Sequence, residues 1–145
     1  MTQTFYSNGK LLITGEYVVL NGATALALPT KFGQSLTIEP NKINGIKWSS
    51  FDADGSCWFE TFIVFDEIKN KIKTTDNAIK NTLIEILHEA FQLNPSYLED
   101  VDGYNISTRL TFPKKWGLGT SSTLINNIAN WLSVDPYTLL KNSFG

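Results

Sequence analysis

The residues of this sequence best suited to bind an anion lie in a short segment rich in glycine and hydroxyl groups. Residues 117–122 read Gly-Leu-Gly-Thr-Ser-Ser. Glycines let the backbone approach a ligand closely, and the first turn of a helix presents unpaired N–H groups at the positive end of a dipole. The segment therefore predicts either a phosphate cradle or a turn in which Thr120 or Ser121 only caps the helix.

No Gly-Lys-Ser or Gly-Lys-Thr follows the two glycines, so the segment is not a Walker P-loop. A phosphate bound here would need a cation from elsewhere in the chain. Lys114 and Lys115 precede the segment, and they either raise the local anion concentration or remain solvated loop lysines.

The flanking sequence places this segment between a strand and a helix. Alternation before it predicts a half-buried strand that Pro113 ends, with one side formed by Tyr104, Ile106, Thr108, Leu110 and Phe112. After it, apolar residues recur at the spacing of one helix face, namely Leu124, Ile125, Ile128, Ala129 and Leu132. We therefore expect a helix that begins near Thr120.

The rest of the chain predicts an α+β domain with a β-rich first half followed by helices. Short β-branched or aromatic runs separated by turn residues predict the strands TFYSN, KLLIT, YVVL, ALAL, QSLTIEP, GIKWSSF and CWFETFIVF. An apolar stripe predicts a helix from Thr75, with Asp76 as its possible cap, to Asn94-Pro95. PSYLED predicts a turn or short helix, and Asp135-Pro136 begins a last helix.

Composition limits the classes of function. A chain of 145 residues with 42% hydrophobic and 12% aromatic residues is typical of one globular domain. The net charge of -2, without a block of basic residues, gives no support for nucleic-acid or membrane-surface binding. The apolar runs are too short to span a membrane, and the first ten residues, MTQTFYSNGK, do not have the pattern of a secretion signal. We therefore expect a cytoplasmic protein.

The single cysteine and the single histidine exclude several kinds of site within this chain. Disulfides, cysteine-based zinc sites and multi-histidine metal sites each need more of these residues than Cys57 and His88 provide. We expect Cys57 to be a core or sheet residue and His88 a surface or hydrogen-bonded helical residue.

A second glycine-framed segment lies near the start of the chain and supplies a cation. Together with the first segment it resembles the GHMP kinases, the superfamily of galactokinase, homoserine kinase, mevalonate kinase and phosphomevalonate kinase. The first family motif is matched by Gly9, Lys10, Leu11, Leu12, Ile13, Gly15, Glu16, Tyr17, Val18, Val19 and Gly22. The second is matched by Pro113, Gly117, Leu118, Gly119 and Ser121. Two motifs in the right order are more specific than either alone.

The match is incomplete in the second motif. Thr120 replaces the usual first serine, and Ser122-Thr123 replace the usual alanine pair. The resemblance implies that residues 1–145 form the N-terminal domain of such a kinase, with the ribosomal S5-like fold. It also implies that the C-terminal domain, a third glycine motif and the catalytic base lie beyond Gly145.

The resemblance implies ATP and Mg²⁺ as cofactors and a role for each matched residue. The N–H groups that wrap the ATP phosphates belong to Trp116, Gly117, Leu118, Gly119, Thr120, Ser121 and Ser122. The Ser121 hydroxyl is the expected Mg²⁺ ligand. Lys10 is the expected catalytic cation beside the transferring phosphate, and Glu16 and Tyr17 shape the acceptor side. Trp116 either stacks near adenine or plugs the loop.

The expected reaction is phosphoryl transfer to a small-molecule hydroxyl or phosphate. Gly-Glu-Tyr followed by VVLNG is more similar to phosphomevalonate kinase than to mevalonate kinase or galactokinase, and an unassigned small-molecule kinase stays open. The alternative is a non-catalytic nucleotide-binding or assembly domain. We also expect residues 1–145 alone to lack turnover and to self-associate through exposed apolar surface. The aromatic residues available for such a surface are Trp48, Trp58, Phe59, Phe62, Phe65, Trp131, Tyr137 and Phe144.

Overall fold

The computed structural model describes residues 2–12, 27–74, 76–99, 101–113 and 120–144. Its strands are Gln3–Leu12 (β1), Ala27–Pro40 (β2), Gly45–Phe51 (β3), Cys57–Ile63 (β4) and Gly103–Leu110 (β5). Its helices are Phe65–Lys69 (α1), Ala78–Leu93 (α2), Thr120–Leu132 (α3) and Pro136–Phe144 (α4), with a 3₁₀ helix at Pro95–Leu98.

The strands form one five-stranded sheet in the order β1-β2-β5-β3-β4. Neighbours are antiparallel except β3 and β5, which are parallel and are connected in the chain through β4, α1 and α2. Gly33 of β2 lies so close to β1 that a Cβ there would be 2.1 Å from the carbonyl oxygen of Ser7. Only glycine fits this approach, which holds β2 against the part of β1 that precedes Lys10.

The hydrophobic core lies between the sheet and the helices. Strand residues of the core follow the period of two, because alternate side chains point to the same face, as in Leu36, Ile38, Ile46, Trp48 and Ile106. Helix α2 contributes Leu83, Ile84, Ile86, Leu87 and Ala90, and α3 contributes Ile125, Ile128, Ala129 and Leu132. Helix α3 packs on β1 and β2.

The predicted helices are confirmed, with one change at a helix start. Helix α2 begins at Ala78 rather than Thr75, and its cap is Asn77, whose side chain accepts a hydrogen bond from the Lys80 N–H at 3.0 Å. Asp76 does not cap α2; its side chain pairs with Thr74 instead. At α4 the predicted cap is present, since Asp135 Oδ2 accepts from the Thr138 N–H at 3.0 Å.

The strand predictions differ from the structure mainly at the strand ends. TFYSN and residues 10–12 of KLLIT belong to one strand, β1, and the strand predicted from Tyr104 to Phe112 is Gly103–Leu110. CWFETFIVF ends as a strand at Ile63, because Phe65 already begins α1. A Glu67 side-chain oxygen accepts from the Val64 N–H at 3.0 Å and fixes this helix start. Residues 27–28 of ALAL lie in β2 together with QSLTIEP. YVVL, the last two residues of KLLIT and the first two of ALAL lie outside the described residues.

None of the helices in the described ranges combines the length and the apolar character needed to cross a membrane.

Candidate functional site

Helix α3 begins at Thr120, within the glycine segment and where the sequence predicts a helix start. Ser121 and Ser122 lie in its first turn, and both are exposed. The first turn of a helix has free N–H groups, so these two residues stand where an anion can be bound. The other predicted phosphate-binding residues, Trp116, Gly117, Leu118 and Gly119, lie outside the described residues, and Thr120 is described only in its backbone.

Lys10 lies in β1, where its backbone pairs with Pro29 of β2. The ladder between β1 and β2 is irregular between Asn8 and Lys10. Because α3 packs on β1 and β2, the structure brings the strand of the first motif beside the helix of the second motif. Glu16 and Tyr17 lie outside the described residues, so their predicted roles stay predictions.

A buried network of uncharged polar side chains connects α3 to the two strands beneath it. Ser7 Oγ donates to Asn127 Oδ1 at 2.6 Å and accepts from Asn126 Nδ2 at 2.7 Å. Asn127 Nδ2 donates to the Gln34 carbonyl oxygen at 2.8 Å. Gln34 Nε2 donates to Thr123 Oγ1 at 2.8 Å. The network therefore joins β1, β2 and α3.

This network fixes the position of the first turn of α3. Hydrogen bonds are directional, whereas apolar contacts allow a helix to slide or rotate, so the bonded side chains define one setting of α3 on the sheet. Thr123 lies directly after Ser122, and its bond to Gln34 holds the exposed serines in place. The sequence pattern did not indicate this network, because Gln34, Asn126 and Asn127 are ordinary surface residue types.

A cavity of about 260 Å³ lies beside the start of α3. Its lining comes from the sheet, from α2 and from α3: Gln34, Trp48, Ser50, Trp58, Phe59, Ile79, Thr82, Leu83, Ile86, Ser121 and Leu124. Most of this lining is apolar, and three of its residues are aromatic. A small, mostly apolar cavity with a few polar groups is typical of a binding site for a small organic molecule.

The polar groups on the sheet side of the cavity are held by hydrogen bonds. Trp48 Nε1 donates to Ser50 Oγ at 3.0 Å, and both residues are buried. Gln34, which also lines the cavity, is the residue that holds Thr123. Ser121 therefore lies both in the first turn of α3 and in the lining of the cavity. Gln34 lines the cavity and also holds the first turn through its hydrogen bond to Thr123.

The sequence prediction missed the cavity residues of β3 and β4. Trp48 and Ser50 lie two apart on β3, so they share one face, and Ser50 pairs with Phe59 of β4. Two strands rich in tryptophan and phenylalanine were a visible signal. We expected their aromatic residues on an exposed apolar surface, however, and nothing in the sequence showed that a space remains between these strands and α2.

The remaining candidate residues have structural surroundings. His88 Nδ1 lies 2.7 Å from the carbonyl oxygen of Ile68, which confirms a hydrogen-bonded helical histidine. Cys57 lies in the sheet as predicted, and it is exposed. Within the described residues, no group of three or more histidine, cysteine, aspartate or glutamate side chains could hold a metal.

The aromatic residues expected on an exposed surface divide into two groups, apart from Phe144, whose side chain lies outside the described part of the chain. Trp48 is fully buried in the core, and Trp58, Phe59, Phe65 and Trp131 are partly buried. Phe62 is 44% exposed and Tyr137 is 79% exposed. Phe62 lies on β4 and Tyr137 on α4, and they are the exposed members of this set among the residues whose side chains are described. Self-association stays a prediction.

No family model matches this chain, and no curated protein matches it. Solved structures do. The mevalonate kinase of Methanococcus jannaschii is 17% identical, with a TM-score of 0.71 over 100% of this chain and 48% of that chain. The galactokinase of Lactococcus lactis, complexed with galactose, is 16% identical, with a TM-score of 0.66 over 98% of this chain and 36% of that chain.

A D-glycero-D-manno-heptose 1-phosphate kinase from Bacteroides thetaiotaomicron is 17% identical, with a TM-score of 0.65 over 99% of this chain and 47% of that chain. This chain spans less than half the length of these three proteins. At such identities the likeness shows the fold. The predicted fold class is confirmed: a β-rich first half followed by helices, as in the N-terminal domain of GHMP kinases.

Proposed function

We propose, from the premise that this chain has the fold of the N-terminal GHMP kinase domain, that it binds ATP for phosphoryl transfer to a small molecule. The observation that carries this proposal is the cavity beside α3. Its lining joins an aromatic recess between β3, β4 and α2 to Ser121 in the first turn of α3. A nucleotide needs these two environments side by side, an apolar one for its base and an anion-binding one for its phosphates.

The size of the cavity supports a ring rather than a whole nucleotide inside it. Its volume of about 260 Å³ lies just below the range of ligand pockets, which begins at ~300 Å³. The base would occupy the recess between Trp48, Trp58 and Ile79, and the phosphates would extend along Ser121 toward the glycine segment.

The proposed roles at the phosphates follow the family motifs. The backbone N–H groups of residues 116–122 would hold the phosphates, and the Ser121 hydroxyl would be one ligand of Mg²⁺. Mg²⁺ commonly keeps several waters and takes phosphate oxygens as further ligands, so it needs few protein groups. When bound, it would neutralise charge that develops on the transferring group.

Lys10 would supply a further positive charge at the transferring phosphate, and Glu16 and Tyr17 would face the acceptor. The placement of β1 beside α3 supports this role for Lys10. We propose a small alcohol or a small phosphate ester as the acceptor, as in mevalonate and phosphomevalonate kinases. The solved structures with this fold include kinases whose names specify such acceptors.

The test is a titration of the chain with ATP and Mg²⁺, followed by a panel of phosphate acceptors. We expect ATP to bind and Gly119→Val to abolish binding while the thermal unfolding temperature stays nearly unchanged, because the added side chain blocks the approach of backbone to phosphate. Unchanged ATP affinity in this variant would show that the glycine segment only caps the helix and does not bind phosphate. Binding without turnover of any acceptor, in the longest native form of the protein, would favour a non-catalytic nucleotide-binding domain.

A further inference from the structure

Ser50 has a buried hydroxyl group whose proton has no acceptor among the described residues. Ser50 is 3% exposed and lines the cavity beside α3. Among the described residues, the Ser50 side chain makes one hydrogen bond, which its Oγ accepts from Trp48 Nε1 at 3.0 Å. An indole N–H only donates, so Trp48 cannot accept the Ser50 proton.

The geometry of this pair leaves Ser50 ready to donate. A serine hydroxyl has one proton and two lone pairs, and the indole occupies one lone pair. The proton must then point away from the indole. A buried hydroxyl without an acceptor is costly, whereas a ligand atom in the cavity would relieve that cost.

We propose that Ser50 determines which ring the cavity takes, by donating a hydrogen bond to an acceptor atom on the ring edge. The ligand class is a nitrogen heterocycle that carries phosphate, because the recess is apolar and aromatic and Ser121 of the first helical turn also lines the cavity. Trp48 occupies one lone pair of the Ser50 oxygen and leaves the Ser50 proton for the ligand. This inference rests on the proposed nucleotide binding and deepens it.

The test compares two variants that differ only in this hydroxyl. Ser50→Ala alone would leave Trp48 Nε1 buried without an acceptor and would disturb the fold. Trp48→Phe and the double variant Trp48→Phe/Ser50→Ala both lack the indole N–H, so neither leaves that donor buried without an acceptor. In the double variant both partners are apolar, and such a replacement is nearly neutral for stability. Each variant is titrated by calorimetry, in Mg²⁺, with ATP and with tripolyphosphate, which has no ring.

We expect the double variant to bind ATP about tenfold more weakly than Trp48→Phe, as for the loss of one hydrogen bond. Tripolyphosphate should bind both variants equally. Among the 1-, 3- and 7-deaza analogues of ATP, the one that lacks the contacted nitrogen should bind both variants equally, which identifies the ring atom.

Three results would overturn this role of Ser50. Equal ATP affinity in the two variants would show that Ser50 makes no hydrogen bond to the ring of ATP, and the proposed function would stand. Parallel weakening of ATP and tripolyphosphate would show that Ser50 acts on the fold rather than on the ring, as would a loss common to all three deaza analogues. If the wild-type chain binds neither ATP nor tripolyphosphate, the proposed function itself fails.

Discussion

Helices α2 and α3 lie beside the same cavity, but they are held by different kinds of contact. Outside its apolar stripe, α2 is tied to α1 and the residues after it by charged groups near the surface. Lys80 Nζ lies 3.1 Å from Glu67 Oε2, and Lys71 Nζ lies 2.9 Å from Glu85 Oε2. Burial raises the pKa of Glu85, but hydrogen bonds and charges from Lys71 and Lys73 outweigh it and leave the pKa below its ordinary value.

Helix α3 is tied to the sheet by uncharged groups that are buried. Ser7, Gln34, Thr123 and Asn127 are all buried, and each makes at least one side-chain hydrogen bond to another element. Surface ion pairs contribute little because water and salt screen them, whereas a buried polar group that loses its partner is costly. The comparison shows that the position of α3, which carries the proposed phosphate site, is fixed more precisely than that of α2.

The largest effect is expected from Asn127→Ala. Asn127 is 0% exposed, accepts from Ser7 and donates to the Gln34 carbonyl. Its removal takes away the acceptor of the Ser7 hydroxyl proton and the donor to the Gln34 carbonyl oxygen, and it leaves a small cavity, so we expect the free energy of unfolding to fall by about 3 kcal/mol. Urea unfolding measures this change. The control is Asn130→Ala, an exposed asparagine of the same helix, which should change stability by less than about 0.5 kcal/mol.

Equal effects of Asn127→Ala and Asn130→Ala on unfolding would show that the buried network does not hold α3, and the contrast between the two helices would be lost.

A smaller effect is expected from Thr123→Val, which keeps the side-chain shape but removes the acceptor of Gln34 Nε2. We expect a loss of about 1–2 kcal/mol in the free energy of unfolding. Because Thr123 follows the exposed serines of the first turn, binding of ATP should also weaken. Calorimetry on the folded variant measures the second effect. If the variant loses stability and keeps full ATP affinity, the buried network does not position the residues that bind phosphate.

The smallest effect is expected from Lys80→Ala, which breaks the ion pair with Glu67. This pair is near the surface, with side-chain exposures of 17% and 22%. We expect a loss of no more than about 1 kcal/mol, and we expect the loss to shrink as salt is added. Urea unfolding at low and high sodium chloride measures both. A loss as large as that of Asn127→Ala, or one that does not respond to salt, would contradict the ranking of the two helices.

Local patterns predicted most of the elements because their causes are local. The apolar stripe of α2, its end at Asn94 and the capped start of α4 depend on residues within one or two turns. The buried side of β5 follows from strict alternation, and all its predicted members are buried, even Phe112, which lies past the end of the strand. The predicted boundaries of two elements were wrong: Asn77 rather than Asp76 caps α2, and Phe65 begins a helix where a strand was predicted.

The candidate site was predictable only where short motifs mark it. The sequence by itself determined the glycine segment, the helix that begins at Thr120 and the likeness to GHMP kinases, because backbone approach and helix starts depend on local residue types. Tertiary structure decided the rest. Ser7 and Asn127 are far apart in the chain, and so are Ser50 and Ser121. Ser7 bonds to Asn127 because α3 packs on β1 and β2, and Ser50 lines the same cavity as Ser121 because β3 belongs to the same sheet. No local pattern in the sequence specifies which strand will lie beside which helix.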